Sequence, residues 1–458
     1  MSTQTPSYQV TDPATGEVLE TFPFATDDEV EQAVAAAASA YDAWRQRSVE
    51  ERAAVVRRIA ELFTERAAEL GALITTEMGK RPSAAQGEAE FCGEIFKYYA
   101  DNGPELLADK PLPGRDNAFI EHLPVGPILG VMPWNYPYYQ VARFAAPNFL
   151  AGNTVILKHA ENCPTSALAL AQLFADAGVP EGVYANLFAT HEQVASMIED
   201  KRVRGVSLTG SERAGTAVAE TAGRNLKKVV LELGGSDPYI VLDADDVDAA
   251  AETAWTTRME NTGQACNSNK RMIVMEDVYD DFVAALTKRA AAMTPRKPGE
   301  DADDTYSPMV SRKAAEGLAA QVQDAVAKGA TLHAGGTLGE GAYFAPAVLT
   351  NVTPEMRAFS EELFGPVAVV YKVRSDEEAV ELANAVDFGL GGAVFSTDED
   401  RAIAVARQLE VGMANVNTPA GEGADLPFGG TKRSGFGREL GPLGIDEFIN
   451  KRLFYVEK

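Results

Sequence analysis

The sequence predicts an α/β fold in which parallel sheets are covered by helices on both faces. Three observations carry this expectation. Short runs such as TVILK (154–158) and KVVLEL (228–233) are apolar without alternation, as strands buried on both faces require. Capped amphipathic segments of ten or more residues separate those runs. The strand-helix alternation then starts a second time after Gly234, which places a domain boundary near residue 233.

Taken in order, Thr26-Asp27-Asp28-Glu29 has capping-box spacing, and Val30, Val34, Ala37, Tyr41 and Trp44 follow on one helical face. Ser48-Val49-Glu50-Glu51 repeats the cap before Val56, Ile59, Phe63, Ala67 and Leu70, with Gly71 expected to end that helix. Strands are expected from about residue 119, where FIEHL and ILGVM are punctuated by Pro124, Gly126, Pro127 and Pro133. A helix from Pro164 to Ala177, a strand GVYANLF (182–188), helices 191–200 and 212–222, and the strand RGVSLTG complete the first series. The second runs through KRMIVM, helices 278–293 and 311–328, and the strands PVAVVYKV, AVFST and GMANVN. An open sheet of this kind binds its ligand at the carboxyl ends of its strands.

Composition narrows the function. The chain has 458 residues, long enough for about three structural units. Lys and Arg number 41 against 67 Asp and Glu, a net charge of −26 that opposes nucleic-acid phosphates and anionic lipid. The same excess fits a salt-adapted surface or simply a solvated, self-repelling one. No run approaches the ~20 apolar residues of a membrane span, and the N-terminus lacks a basic region followed by an apolar run, so a cytoplasmic location is expected. Cys92, Cys163 and Cys266 are too scattered for a disulfide framework, and no two of the four histidines have metal-ligand spacing. No metal is expected.

Three positions suggest chemistry. Cys266 sits in the polar, glycine-bearing loop NTGQACNSN before a strand, a setting that suits a reactive thiol, although a lone cysteine is also a common core residue. Glu232 ends a buried strand in LELGG and is placed either as a general base or as a charge rimming the sheet. Asn135, between the prolines of PWNYP, is either a preorganised amide donor or part of a rigid surface turn. Gly210-Ser-Glu-Arg-Ala-Gly215 has P-loop glycine spacing, but Thr216 stands where lysine is needed. A helix N-terminus there still suits a pyrophosphate.

PWNYP, ILKHAEN, SLTGSERAG, LELGGSDP, NTGQAC, EELFGP and PFGGTKRSGFGRE occur in an order and at separations that resemble the NAD(P)-dependent aldehyde dehydrogenases, over essentially the whole chain. ILKHA, AFSEELFGP and SGFGREL are most similar to the succinate-semialdehyde dehydrogenase branch. The resemblance implies two doubly wound domains and a projecting β-ribbon: cofactor binding in 1–110 and 126–232, catalysis in 233–439, and oligomerisation through 111–125 and 440–458. A homodimer or homotetramer is the implied assembly.

The resemblance also implies roles. Cys266 would attack the aldehyde, Asn135 and the Cys266 backbone N–H would hold the oxyanion, and Glu232 would activate the water that cleaves the thioester. Trp134, Lys158, Glu161, Gly210, Ser211, Leu233 and Glu362 would bind the cofactor. Glu161 beside the adenosine ribose would repel a 2′-phosphate, so NAD is expected over NADP. Arg143 would hold the distal carboxylate of succinate semialdehyde. Glu260 and Glu422 depart from the pattern and leave open a cationic aminoaldehyde or a broad range of aldehydes, with Arg258 as a possible compensating cation. A cysteine hydrolase needs a histidine to activate its thiol and none is near Cys266 in sequence; a catalytically silent homologue needs a lost catalytic group.

Overall fold

The computed structural model describes residues 7–297 and 299–457. The start of the N-terminal segment, residues 1–6, lies outside them, as do Pro298 and Lys458. Both capping boxes form. Thr26 opens the helix Asp27–Trp44 and Ser48 opens Val49–Glu65, each with the side chain of the following Glu29 or Glu51 returning to the cap backbone. Val30, Val34, Ala37 and Trp44 are buried on the predicted face.

The first sheet has six strands, in spatial order Gly435–Phe436, Lys228–Glu232, Gly205–Thr209, Pro127–Val131, Thr154–Lys158 and Tyr184–Asn186. All are parallel except Gly435–Phe436, which returns from far along the chain as an antiparallel edge against Leu231 and Glu232. The order of connections reverses between Pro127–Val131 and Gly205–Thr209, and a doubly wound sheet opens its ligand crevice at such a point.

The second sheet has seven strands, ordered Thr331–Ala334, Ala347–Thr350, Val367–Val373, Arg271–Met275, Pro238–Val241, Gly391–Phe395 and Met413–Val416. Only Thr331–Ala334 is antiparallel. Alternate residues feed two cores: Ile240, Ile273, Leu349 and Val369 on one face, Tyr239, Met272, Val348 and Val370 on the other. A sheet apolar on both faces must be covered on both. A third sheet joins Ile449–Tyr455 to Ala118–Pro124 and Lys110–Pro111, all antiparallel. No helix among the described residues is long and apolar enough to cross a membrane.

Three expectations need correction. Strands do not begin at 119, because Tyr8–Thr11 and Val18–Phe22 already pair as an antiparallel hairpin. GVYANLF forms only the short strand Tyr184–Asn186. Gly71 does not end a helix: the chain breaks at Arg66, and Gly71 lies inside the next helix, Ala67–Met78. Its lack of a side chain serves packing, since a Cβ there would lie 2.8 Å from the Gln86 backbone nitrogen in the helix Pro82–Leu106.

That contact yields a prediction with a built-in contrast. Gly317→Ala, in the open middle of the helix Arg312–Ala327 with nothing within 4 Å of the added methyl, should stabilise by roughly 0.5–1 kcal/mol. Gly71→Ala, the same change in a crowded helix, should destabilise by roughly 1–3 kcal/mol. Melting temperatures of the two variants that moved in the same direction would contradict the packing assigned to Gly71.

Candidate active site

A cavity of 710 Å³ opens at the amino ends of second-sheet strands, lined by Tyr136, Cys266, Pro238, Gly391 and Met413 among others. Gly234 and Gly235 set how closely neighbouring segments approach. A Cβ at Gly234 would lie 2.6 Å from Glu362 Oε2, and one at Gly235 would lie 2.5 Å from the Cys266 carbonyl oxygen. The glycine pair anticipated at this strand end admits another stretch of backbone.

The loop that carries Cys266 is held in unusual conformations. Asn261 and Thr262 have φ values of 47° and 56°, and Gly263 follows at 71°. Left-handed geometry at a β-branched threonine costs on the order of 1–3 kcal/mol and persists only where the surroundings over-determine it. Here they do. Asn261 Nδ2 donates to the Asn135 carbonyl at 2.9 Å, Gln264 Oε1 accepts from Val310 N at 2.9 Å, and a Cβ on Gly263 would lie 2.3 Å from Gly365 O. The fully buried Arg258 donates to the carbonyls of Gly263, Leu363, Gly365 and Val367 and to Ser268 Oγ. Burial pulls its guanidinium pKa down to about 9. Arg258 is thus a stitch between NTGQAC and EELFGP, not a cation offered to substrate.

Asn135 is buried between its prolines, and its Nδ2 donates to Gln264 O at 3.1 Å, which ties PWNYP to the Cys266 loop. Burial pushes the Cys266 thiol up to about 11, against the pull of Arg143 and Lys270. Glu232 is 1% exposed, and neither of its carboxyl oxygens has a hydrogen-bond partner. Burial, then the neighbouring Glu439, raises its pKa well above the usual carboxylate range. A carboxylate so shifted takes up a proton more readily than an exposed one.

Arg143 requires a correction. It was expected to face the substrate, but it is fully buried, with Nε 2.8 Å from Glu439 Oε2 and a further hydrogen bond to Gln140. Its guanidinium lies 4.6 Å and 4.2 Å from the ring centres of Tyr139 and Phe428, both of which line the cavity. The charge therefore stands behind an aromatic wall, already paired, because the buried Glu439 needs a counter-ion.

The residues expected to bind a cofactor gather at the carboxyl ends of the first sheet. Lys158 is buried with Nζ 3.4 Å from the half-exposed Glu161, whose backbone oxygen accepts from Gln9 of the N-terminal hairpin. Gly210 leads into Ser211, which caps the helix Glu212–Arg224 by accepting from Ala214 N. Leu233 packs where Gly215 leaves room for it, and Trp134 meets Phe364 edge-on at 5.7 Å. Glu362 accepts from Gly235 N at 3.0 Å and pairs with Lys270 at 3.1 Å. Thr209 Oγ1 and Asn162 Nδ2, both buried here, have no partner, so this crevice has polar atoms to offer a ligand. A helix N-terminus, an ammonium and carboxylates are the donor and acceptor set that a dinucleotide requires.

Several residues of the site gave no signal in the sequence. Lys80 forms a buried ion pair with Glu88 and lies 3.6 Å from the centre of the Tyr136 ring. Glu88 in turn accepts from the Tyr138 and Tyr139 backbone, fixing the start of the helix Tyr139–Ala151. Tyr8 donates to the carbonyls of His159 and Ala189 beneath Lys158. The cavity lining includes the carboxylates of Glu88, Asp237, Glu260 and Glu422 and one guanidinium, Arg438, which is hydrogen-bonded to Gly430 O and Gly437 O. No histidine is among the lining residues, and no cluster of three or more His, Cys, Asp or Glu among the described residues could hold a metal.

The model of the aldehyde dehydrogenase family matches residues 1–453. A Deinococcus radiodurans protein named succinate-semialdehyde dehydrogenase [NADP(+)] is 55% identical, the match covering 97% of this chain and 94% of that one. The Escherichia coli succinate semialdehyde dehydrogenase [NAD(P)+] Sad is 43% identical, with 97% of each chain covered. The crystal structure of succinic semialdehyde dehydrogenase from Streptococcus pyogenes, in complex with NADP+, superposes with a TM-score of 0.94 at 41% identity over 99% of this chain and all of that one.

The site also predicts a pH dependence of stability. Burial raises the Asp237 carboxyl to about 7 from its ordinary 3.8, with Lys270 opposing. Below pH ~4 it is protonated folded and unfolded; between ~4 and ~7 only the unfolded chain loses the proton, so stability falls as pH rises and levels off above ~7. The stability advantage of Asp237→Asn over wild type should therefore grow from pH 5 to pH 8 in denaturant titrations. A constant difference across that range would contradict the burial assigned to this carboxyl.

Proposed function

The chain belongs to the aldehyde dehydrogenase family and is an NAD(P)-dependent enzyme, and from that premise we propose that it oxidises succinate semialdehyde to succinate through a covalent adduct on Cys266. The observation that carries the chemical reading is a cavity-lining thiol, Cys266, with the amide of Asn135 tied to Gln264 two residues before it and the unpaired buried carboxyl of Glu232 close enough for its charge to act on the thiol. The names of the Deinococcus radiodurans and Streptococcus pyogenes relatives support the substrate.

Cys266 attacks the aldehyde carbon as its thiolate, and the oxygen that gains negative charge is held by Asn135 Nδ2 and the Cys266 backbone N–H. Donors fixed in advance where charge develops typically contribute a few kcal/mol. Lys158, Glu161, Gly210, Ser211, Leu233, Trp134 and Glu362 would hold the nicotinamide cofactor, which would supply the two-electron acceptor that oxidation of the thiohemiacetal on Cys266 to a thioester requires. Glu232 then takes a proton from water as that water attacks the thioester carbon, and the acid leaves with Cys266 restored. A carboxylate whose pKa burial has raised is a stronger base than an exposed one and is suited to accept this proton.

For the cofactor, the carboxylate of Glu161 beside Lys158 favours NAD, because a 2′-phosphate would approach a negative charge. The NADP(+) in the relatives' names pulls the other way. For the architecture, residues 1–110 with 126–232 are assigned to cofactor binding, 233–439 to catalysis, and 111–125 with 440–458 to a ribbon that pairs subunits in a homodimer or homotetramer. Leu453, Phe454 and Tyr455, exposed at 58%, 40% and 47% on the strand Ile449–Tyr455, support this use of the ribbon.

A second reading of the substrate is favoured by one observation. With Arg143 committed to Glu439, the cavity offers more carboxylates than free cations, which suits a cationic aminoaldehyde or a neutral aldehyde.

Two experiments test these readings. Cys266→Ala should abolish turnover while leaving cofactor binding intact, and Glu232→Gln should give a burst of NADH near one per site followed by slow turnover. A Glu232→Gln enzyme without a burst would place Glu232 before the oxidation step and overturn its role. The second is a matrix of wild type and Glu161→Ser against NAD and NADP, with succinate semialdehyde, 4-aminobutyraldehyde and a neutral aldehyde. We expect at least ~tenfold higher kcat/KM with NAD, about 1.4 kcal/mol, narrowed by Glu161→Ser, and succinate semialdehyde as the best substrate. Faster oxidation of 4-aminobutyraldehyde would favour the cationic pocket.

A further inference from the structure

Lys270 stands four residues beyond Cys266, buried, and each of its three ammonium hydrogens has an acceptor. Nζ is 2.8 Å from Ala265 O, 2.7 Å from Cys266 O and 3.1 Å from Glu362 Oε1. The first of these contacts matters most. Ala265 C=O and Cys266 N–H belong to one trans peptide unit, so a cation on the oxygen draws electron density from the nitrogen at the other end. The same oxygen also accepts from Ser268 N at 3.3 Å. Meanwhile the Cys266 N–H has no acceptor among the described residues, although Cys266 lines the cavity. The result is a polarised, unoccupied donor beside the thiol. The second contact pins the next peptide, because Cys266 O is wedged between Lys270 and Gly235.

We propose that Lys270 is a positioning residue of the oxyanion site, whose ammonium locks the backbone on both sides of Cys266 and strengthens the Cys266 N–H as a donor through the Ala265 carbonyl. This rests on the reading of Cys266 as nucleophile. Lys270 does not touch the substrate; it acts through the peptide. Its charge also favours the thiolate, in a setting where Arg143 is the other cation facing the thiol, Glu362 and Glu232 are the opposing carboxylates, and the hydroxyls of Tyr136 and Tyr139 complete the titratable surroundings. Glu362 and Asp237 face the ammonium itself.

The test uses no cofactor. An ester such as p-nitrophenyl acetate acylates a thiol through the same tetrahedral oxyanion: the sulfur–carbon bond forms, the bond to p-nitrophenolate breaks, and the released phenolate is read by absorbance. Removing an oxyanion donor outright slows such a step by ~10²–10³-fold, so weakening one in Lys270→Met should slow acylation by about 10–100-fold. Lys270→Gln keeps an N–H donor without the charge, should lose less, and serves if the methionine variant does not fold. In both, the pH profile of Cys266 alkylation by iodoacetamide should move to higher pH, a change that a merely structural prop would not produce. Acylation within about twofold of wild type, or slower acylation with an unmoved alkylation profile, overturns the role of Lys270. If instead Cys266→Ala retains the phenolate burst, the nucleophile reading itself fails, and the two failures are told apart.

Discussion

Two adjacent glycines at the end of one strand determine how the site is assembled. The strand Lys228–Glu232 leads through Gly234 and Gly235 to Pro238, which begins a strand of the second sheet, and the loop carrying Cys266 packs against Gly235. Gly235 allows the Cys266 carbonyl into the space a Cβ would take, and Gly234 does the same for the Glu362 carboxylate. A side chain at Gly235 would force the thiol loop away from the strand end, and one at Gly234 would displace the Glu362 carboxylate. Catalytic geometry tolerates little of that.

Around this contact the protein has assembled charges in a dry interior. Cys266, Glu232, Glu439, Arg143, Asp237 and Lys270 are mostly shielded from water, and their charges act on the Glu232 and Asp237 carboxyls and the Cys266 thiol. Pairing explains three of them: Arg143 with Glu439, and Lys270 with Glu362. Glu232 is a buried carboxyl with neither oxygen hydrogen-bonded. A buried polar group without a partner costs stability, and such a cost is retained where the group has a task. The same holds for the left-handed run Asn261–Gly263, which four segments clamp in place.

Much of this was legible in the sequence because it is local. A capping box is complete within four residues, and a strand buried on both faces announces itself by an unbroken apolar run, so the helices after Thr26 and Ser48 and the strands Thr154–Lys158 and Gly205–Thr209 could be placed without neighbours. The setting of Cys266, Glu232 and Asn135 was likewise visible in short motifs. Gly71 was misread for the complementary reason: a glycine that stops a helix and one that admits another helix look alike until the second helix is present.

By itself, then, the sequence determined the α/β class, most capped helices, the core strands and the candidate thiol, carboxylate and amide, since each depends on residues within a turn or two of one another. Tertiary structure alone decided what each charge is for. Arg143 reads as a substrate anchor until Glu439 arrives from the far end of the chain to take its guanidinium. Arg258 reads as a spare cation until the carbonyls of 363–367 converge on it. Lys270 gave no signal at all. A charged side chain reaches several ångströms and pairs with whatever the fold brings within range, and in a low-dielectric interior that partner outweighs every local preference.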